Sequence, residues 1–120
     1  MEDLIQQVTP AFMNTTMVDV ETFISLHKEG KCTFVDIRMD FEREVWDFKF
    51  GLQIPLNELG KREAELPKEG LIVLACPNGP RSIIGWTYLA AKGYEVKFLK
   101  GGMEALTATL KGGAAKAFLE

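Results

Sequence analysis

One short run of the chain combines a nucleophile, a cation and turn-forming residues: Cys76-Pro77-Asn78-Gly79-Pro80-Arg81-Ser82. It follows the apolar stretch "LIVLA" and leads into "SIIGWTYLAAKG", so the sulfur sits where a strand hands over to a helix. In parallel sheets, ligands and reacting groups gather beyond the carboxyl ends of strands. Ser82 is a natural start for the helix, and backbone N–H groups at a helix start point toward whatever anion sits above them. Pro77 and Pro80 carry no N–H, which leaves Asn78, Gly79, Arg81 and Ser82 as the donors of this cradle. Together with the Arg81 charge, such surroundings favour thiolate over thiol at Cys76, and the thiolate is the reactive form. The loop chemistry alone leaves a second reading open, in which Cys76 is a small hydrophobe ending a buried strand.

Other nucleophilic or metal-binding sets are poorly supplied. Cys32 and Cys76 lie 44 positions apart with no CxxC, so neither a redox pair nor a zinc ribbon is written locally. The one histidine, His27, falls in "ETFISLHKEGK" on a short helix ending at Gly30. A structural zinc wants four N or S ligands, and no triad is legible around this histidine. No metal is therefore expected.

Positioning the cysteine requires strands and helices in alternation. "CTFVDIR" and "LIVLAC" are short β-branched apolar runs suited to buried parallel strands, and "EVKFLKGG" supplies a third. Helical patterns occupy "VETFISLHKEG", "DFEREVWDF", "NELGKREAEL" and "SIIGWTYLAAKG", the last closed by Gly93. This order reads as an α/β domain, a mainly parallel sheet covered by helices on both faces. Residues 1–16 form an N-terminal extension, with Leu4, Ile5, Val8 and Phe12 at helical spacing interrupted by Pro10. The tail, residues 109–120, is rich in small residues and is expected to fray unless Phe118 and Leu119 dock. Trp46, Phe48 and Phe50 are expected to divide between the core and the mouth of the site, and Trp86 to sit in the core.

Composition excludes several classes. A chain of 120 residues is about one domain and buries roughly two-thirds of its unfolded surface without staples. A net charge of −3 lacks the basic footprint of a nucleic-acid binder. The apolar runs fall far short of the ~20 residues of a membrane span, and Met1-Glu2-Asp3 lacks the basic start of a secretory signal, so the cytoplasm is the default compartment.

The order "FVDIR", "IPLNEL", "CPNGPRS", "LAAKGYEVKFLKGGMEAL" resembles the single-domain rhodanese family of sulfurtransferases over residues 17–108. The most specific part is Cys-x-x-Gly-x-Arg-Ser, matched by Cys76, Gly79, Arg81 and Ser82. The resemblance implies a parallel five-stranded sheet flanked by helices, with Cys76 carrying sulfane sulfur as a persulfide and Arg81 binding the anionic donor or steadying the persulfide. It implies a small sulfur donor, a thiol, cyanide or protein acceptor, and no cofactor, since sulfur is both nucleophile and carrier. Asp36 and Arg38 match the family's Asp-x-Arg strand end and are assigned a structural role, as a charge pair or loop anchor beneath the site.

The chain also departs from the pattern. Where many members carry Gly-His-Ile-Pro-Gly-Ala, this one has "DFKFGLQIPL", shorter and without the histidine, and Leu106 replaces a tryptophan common after the final Gly-Gly. The loop holds one positive charge where active members often have two or more, so affinity for small dianions such as thiosulfate should be weak. Three competitors follow. A cysteine-dependent phosphatase or arsenate reductase usually has five residues between Cys and Arg, against four here, and a tetrahedral oxyanion needs the wider ring of donors. A catalytically idle interaction module shares the fold without the chemistry. A peroxide-sensing protein would use Cys32 as resolving thiol, but Cys32 opens the strand that Asp36 closes and belongs at the opposite sheet edge.

Overall fold

Leu71–Ala75 alternates its side chains between two apolar layers, Ile72 and Leu74 facing one and Val73 and Ala75 the other, which makes it a strand buried on both faces. It is the centre of the sheet. The computed structural model describes residues 2–120. In chain order the strands are β1 (Met17–Val18), β2 (Cys32–Asp36), β3 (Leu52–Gln53), β4 (Leu71–Ala75) and β5 (Val96–Leu99). They lie in the order β1-β5-β4-β2-β3, and every pairing is parallel. The register sets Cys32 opposite Leu71 and Asp36 opposite Ala75, so the ends of β2 and β4 finish together.

The helices are α1 (Glu2–Gln6), α2 (Pro10–Asn14), α3 (Val20–Lys28), α4 (Asp40–Val45), α5 (Pro80–Ala91), α6 (Gly102–Thr109) and α7 (Gly112–Leu119). On one face of the sheet, Trp86 and Leu89 of α5 pack with Val35, Ile72 and Leu74, and the Trp86 indole N–H donates to the Val96 carbonyl at 2.9 Å. On the other, Phe23 of α3 and Met103 and Leu106 of α6 cover Phe34, Val73 and Leu99. Burying each such large apolar side chain contributes about 2 kcal/mol. The five-stranded α/β architecture expected from the sequence is the one observed.

Local readings differ at four places. "NELGKREAEL" is not an α-helix but two 3₁₀ turns, Leu56–Glu58 and Glu63–Glu65. Gly60 interrupts it, and Glu63 is drawn off to accept from the Tyr88 and Tyr94 hydroxyls and from Lys92. The helix in "DFEREVWDF" stops at Val45 because Trp46 turns extended, its carbonyl accepting from Arg38 at 3.2 Å. The helix after the cysteine begins at Pro80 rather than Ser82, a proline being well suited to a first helical position, where no N–H is needed. In the tail, α7 is a formed helix with Phe118 buried against Phe23 and His27, while Leu119 stays exposed. At the other end, Leu4 and Phe12 pack on the core, Phe12 meeting Trp86 edge-on at 6.0 Å, and Ile5 and Val8 are exposed. No described helix is long and apolar enough to cross a membrane.

Candidate active site

β4 delivers Cys76 to the carboxyl edge of the sheet, and the chain reverses through Pro77, Asn78 and Gly79 into α5. Gly79 takes φ +128°, a backbone conformation that side-chain-bearing residues rarely adopt, and caps α5. Its N–H donates to Cys76 Sγ at 3.1 Å. Pro80 has no N–H, and the first α5 amide to bond within the helix is Ile83, to the Gly79 carbonyl. Among the described residues the N–H groups of Arg81 and Ser82 have no acceptor, as the geometry of a helix start requires. Ser82 is fully buried and its Oγ also lacks a partner. The sulfur thus already receives one backbone N–H of the loop, with two further amides and a hydroxyl unspent in the first turn behind it.

The loop is held from the far side by α6. The Met103 N–H donates to the Cys76 carbonyl at 2.8 Å and the Glu104 N–H to the Pro77 carbonyl at 3.1 Å. This close approach depends on Gly102, at φ +61°, where a Cβ would strike the Cys76 and Pro77 carbonyls. The start of one helix therefore grips the backbone of the loop that starts another.

Beneath it lies the pair from the end of β2. The fully buried Arg38 guanidinium grips Asp36 through Nε at 3.1 Å and Nη2 at 2.8 Å, while the Arg38 N–H donates to the same carboxylate at 3.0 Å. Arg38 also reaches Asp47 at 3.4 Å, and the Trp46 ring stacks over it at 4.2 Å. Since Ile37 N–H donates to the Ala75 carbonyl at 3.1 Å, this pair is braced against the residue preceding Cys76.

Arg81 does not project freely over the sulfur. Both its terminal nitrogens donate to Glu42 of α4, one at 2.8 Å, and Glu42 also accepts the Met39 N–H at 3.0 Å. The Arg81 guanidinium, helped by that N–H, holds the Glu42 carboxyl down at about 2. In return Glu42 pushes Arg81 up, with smaller contributions from Cys76 and Asp36 beside it. Nothing in the sequence pointed to Glu42, which lies 39 positions from its partner; Gly102 was visible in "LKGG", though not its grip on the loop.

A cavity of about 340 Å³ opens on the loop at Pro77, between α4 and the start of α6. Trp46 lines it, whereas Phe48 and Phe50 pack among Phe34 and Phe118 on the α3 face. Cys32 begins β2 at the other end of the sheet, level with Leu71 and so about 17 Å from Cys76 at 3.3 Å per strand residue. Burial pushes its thiol up. Among the described residues no three His, Cys, Asp or Glu side chains cluster as metal ligands.

A five-stranded parallel sheet between helices, with a cysteine at the end of its central strand and the start of a helix, defines the class of the fold. The chain belongs to the Rhodanese-like domain family, whose model matches residues 19–109. A protein of Allochromatium vinosum named sulfurtransferase is 36% identical over 72 residues, 59% of this chain and 67% of that one. The crystal structure of a rhodanese homolog from the extremely thermophilic bacterium Thermus thermophilus superposes with a TM-score of 0.61 at 32% identity, over 74% of this chain and 98% of the other. A rhodanese-related protein from Thermoplasma volcanium gives a TM-score of 0.70 at 21% identity, over 77% and 90% respectively, a likeness of fold.

Proposed function

We propose that the protein is a sulfurtransferase in which Cys76 carries sulfane sulfur between a donor and a thiol, cyanide or protein acceptor. The observation that carries this reading is the Gly79 N–H on Cys76 Sγ at 3.1 Å, at the start of a helix whose next amides are free. Donors fixed in advance where negative charge develops stabilise a transition state without reorganising.

In the first half-reaction the Cys76 thiolate attacks the outer sulfur of the donor. A Cys76–sulfur bond forms, the donor's bond to that sulfur breaks, and the electron pair departs with the remainder of the donor, as sulfite when the donor is thiosulfate. In the second, the acceptor attacks the outer sulfur and the pair returns to Cys76. No external oxidant or reductant enters. The amides of Gly79, Arg81 and Ser82 face the negative charge of thiolate and persulfide in turn, and the Asp36–Arg38 pair and the α6 clamp keep the loop in place.

The reading is tested by thiocyanate formation from cyanide with thiosulfate or an aryl thiosulfonate as donor. The wild-type chain should turn over and Cys76→Ser should not, with Cys32→Ser retaining transfer. Hydrolysis of p-nitrophenyl phosphate faster than sulfur transfer would assign the loop to phosphate chemistry, and an inert Cys76 would leave an interaction module.

A further inference from the structure

We infer that the cavity beside α7 is a binding site for an apolar monocarboxylate of the medium-chain fatty acid class, its tail among phenylalanines and its carboxylate on Lys49. None of the residues lining this cavity belongs to the Cys76 loop, so the inference stands apart from the sulfur-transfer reading.

Two stretches outside the family pattern build the cavity. Asp47, Phe48, Lys49 and Phe50 come from "DFKFGLQIPL", where this chain departs from that pattern, and Leu110, Ala115, Phe118 and Leu119 follow residue 109, where the family match ends. The tail is fastened beside the first stretch by contacts with α3 and Phe50. The Phe118 ring lies 4.7 Å from that of His27 and 4.9 Å from that of Phe50, and the Lys28 amine donates to the Ala117 carbonyl. Between the two stretches is a space of about 270 Å³ walled by Phe48, Phe50, Leu110, Ala115 and Phe118, at the lower end of the volumes of small-molecule sites. Atoms lining such a gap lack partners on one side, and a hydrocarbon tail supplies them.

Charge selects the other end of the ligand. Of the two charged residues lining the cavity, Asp47 is already spent: one carboxylate oxygen accepts from Arg38 at 3.4 Å and the other from Arg43 at 3.3 Å. Lys49 is exposed, and among the described residues its amine has neither a hydrogen-bond nor an ion-pair partner. The cavity thus offers apolar walls and one uncommitted cation, which suits a carboxylate on a hydrocarbon body. A protein partner fits less well. Leu119, 82% exposed, is the one exposed large apolar residue among those lining the cavity, whereas a stable protein interface covers roughly 800 Å² on each side.

The test is calorimetric titration of the full chain with decanoate, with octanoate as the shorter chain and decylammonium as the opposite charge. One decanoate should bind per chain. Octanoate should bind about fifteenfold more weakly, at about fourfold for each methylene removed, and decylammonium about tenfold more weakly, since it meets Lys49 with like charge. Lys49→Gln, a change at an exposed side chain, should weaken decanoate about fivefold and bring the two head groups closer in affinity, as should added salt. Ala115→Phe fills the cavity and should abolish binding, with its urea midpoint reporting that the chain is folded. Cys76→Ser should bind decanoate as the wild type does. No binding of decanoate in the millimolar range, equal binding of decylammonium, or unchanged binding by a folded Ala115→Phe overturns the inference. Binding lost in Cys76→Ser would place the ligand at the sulfur loop and overturn it as well. So would a dimer in sedimentation that Leu119→Asp dissociates and decanoate does not, which assigns this face to a second copy of the chain.

Discussion

Replacing Gly102 by alanine should loosen the Cys76 loop without touching any of its side chains. Two costs arise at the position itself. The residue sits at φ +61°, where an L side chain costs about 1 kcal/mol, and the new Cβ would lie 2.8 Å from the Pro77 carbonyl oxygen and closer still to that of Cys76. Both neighbours are backbone, so relief requires α6 to move away from the loop. That movement gives up the Met103 and Glu104 N–H donations to Cys76 and Pro77, each contributing about 1 kcal/mol. The sum is about 3 kcal/mol. Gly30 provides the control, since it has φ +69° with nothing within 4 Å of an added Cβ, and Gly30→Ala should cost only the conformational share of about 1 kcal/mol. Urea unfolding of both variants reads the difference. Under conditions where Gly102→Ala remains folded, sulfur transfer should fall about tenfold or more, because a displaced loop misplaces the reacting atom. Equal stability losses in the two variants, or full transfer by Gly102→Ala, would refute the clamp.

Three further predictions follow from buried and half-buried groups. Arg38→Met strands the buried Asp36 carboxylate and should cost about 3–5 kcal/mol in urea unfolding, while adding Asp36→Asn should recover much of the loss. Burial pushes the His27 imidazole down, so the unfolded chain takes up the proton first. The associated stability is present above the unfolded value of about 6.5 and is lost as pH falls below it; the urea midpoint should drop on acidification, and His27→Phe should remove that slope. Because burial raises the Cys32 thiol, iodoacetamide should label Cys32 slowly in the folded protein and readily in urea; rapid native labelling would contradict its placement in β2.

The sequence revealed what periodicity and turn chemistry encode. β2, β4 and β5 were legible because each is a strand-length stretch dominated by apolar residues, and the α5 loop because Gly and Pro punctuate it beside a cysteine. β1 and β3 were not, being two residues each, too short to show any period. "NELGKREAEL" has helical spacing, but Glu63 is held by Tyr88, Lys92 and Tyr94 from a distant part of the chain, a tertiary pull that no local pattern records. The same limit hid Glu42. A carboxylate three residues into a helix reads as part of that helix's own start, and only the folded chain brings it to Arg81. The α6 grip on Cys76 is carried by backbone amides, which leave no mark on residue type beyond the glycine that admits them.

The most direct test of the account is the mass of the protein after incubation with benzenethiosulfonate, followed by peptide mapping. One added sulfur atom on Cys76, removed by cyanide and absent in Cys76→Ser, is the predicted result. A sulfur adduct on Cys32, or no adduct on a Cys76 that is otherwise reduced and accessible to the reagent, would contradict it.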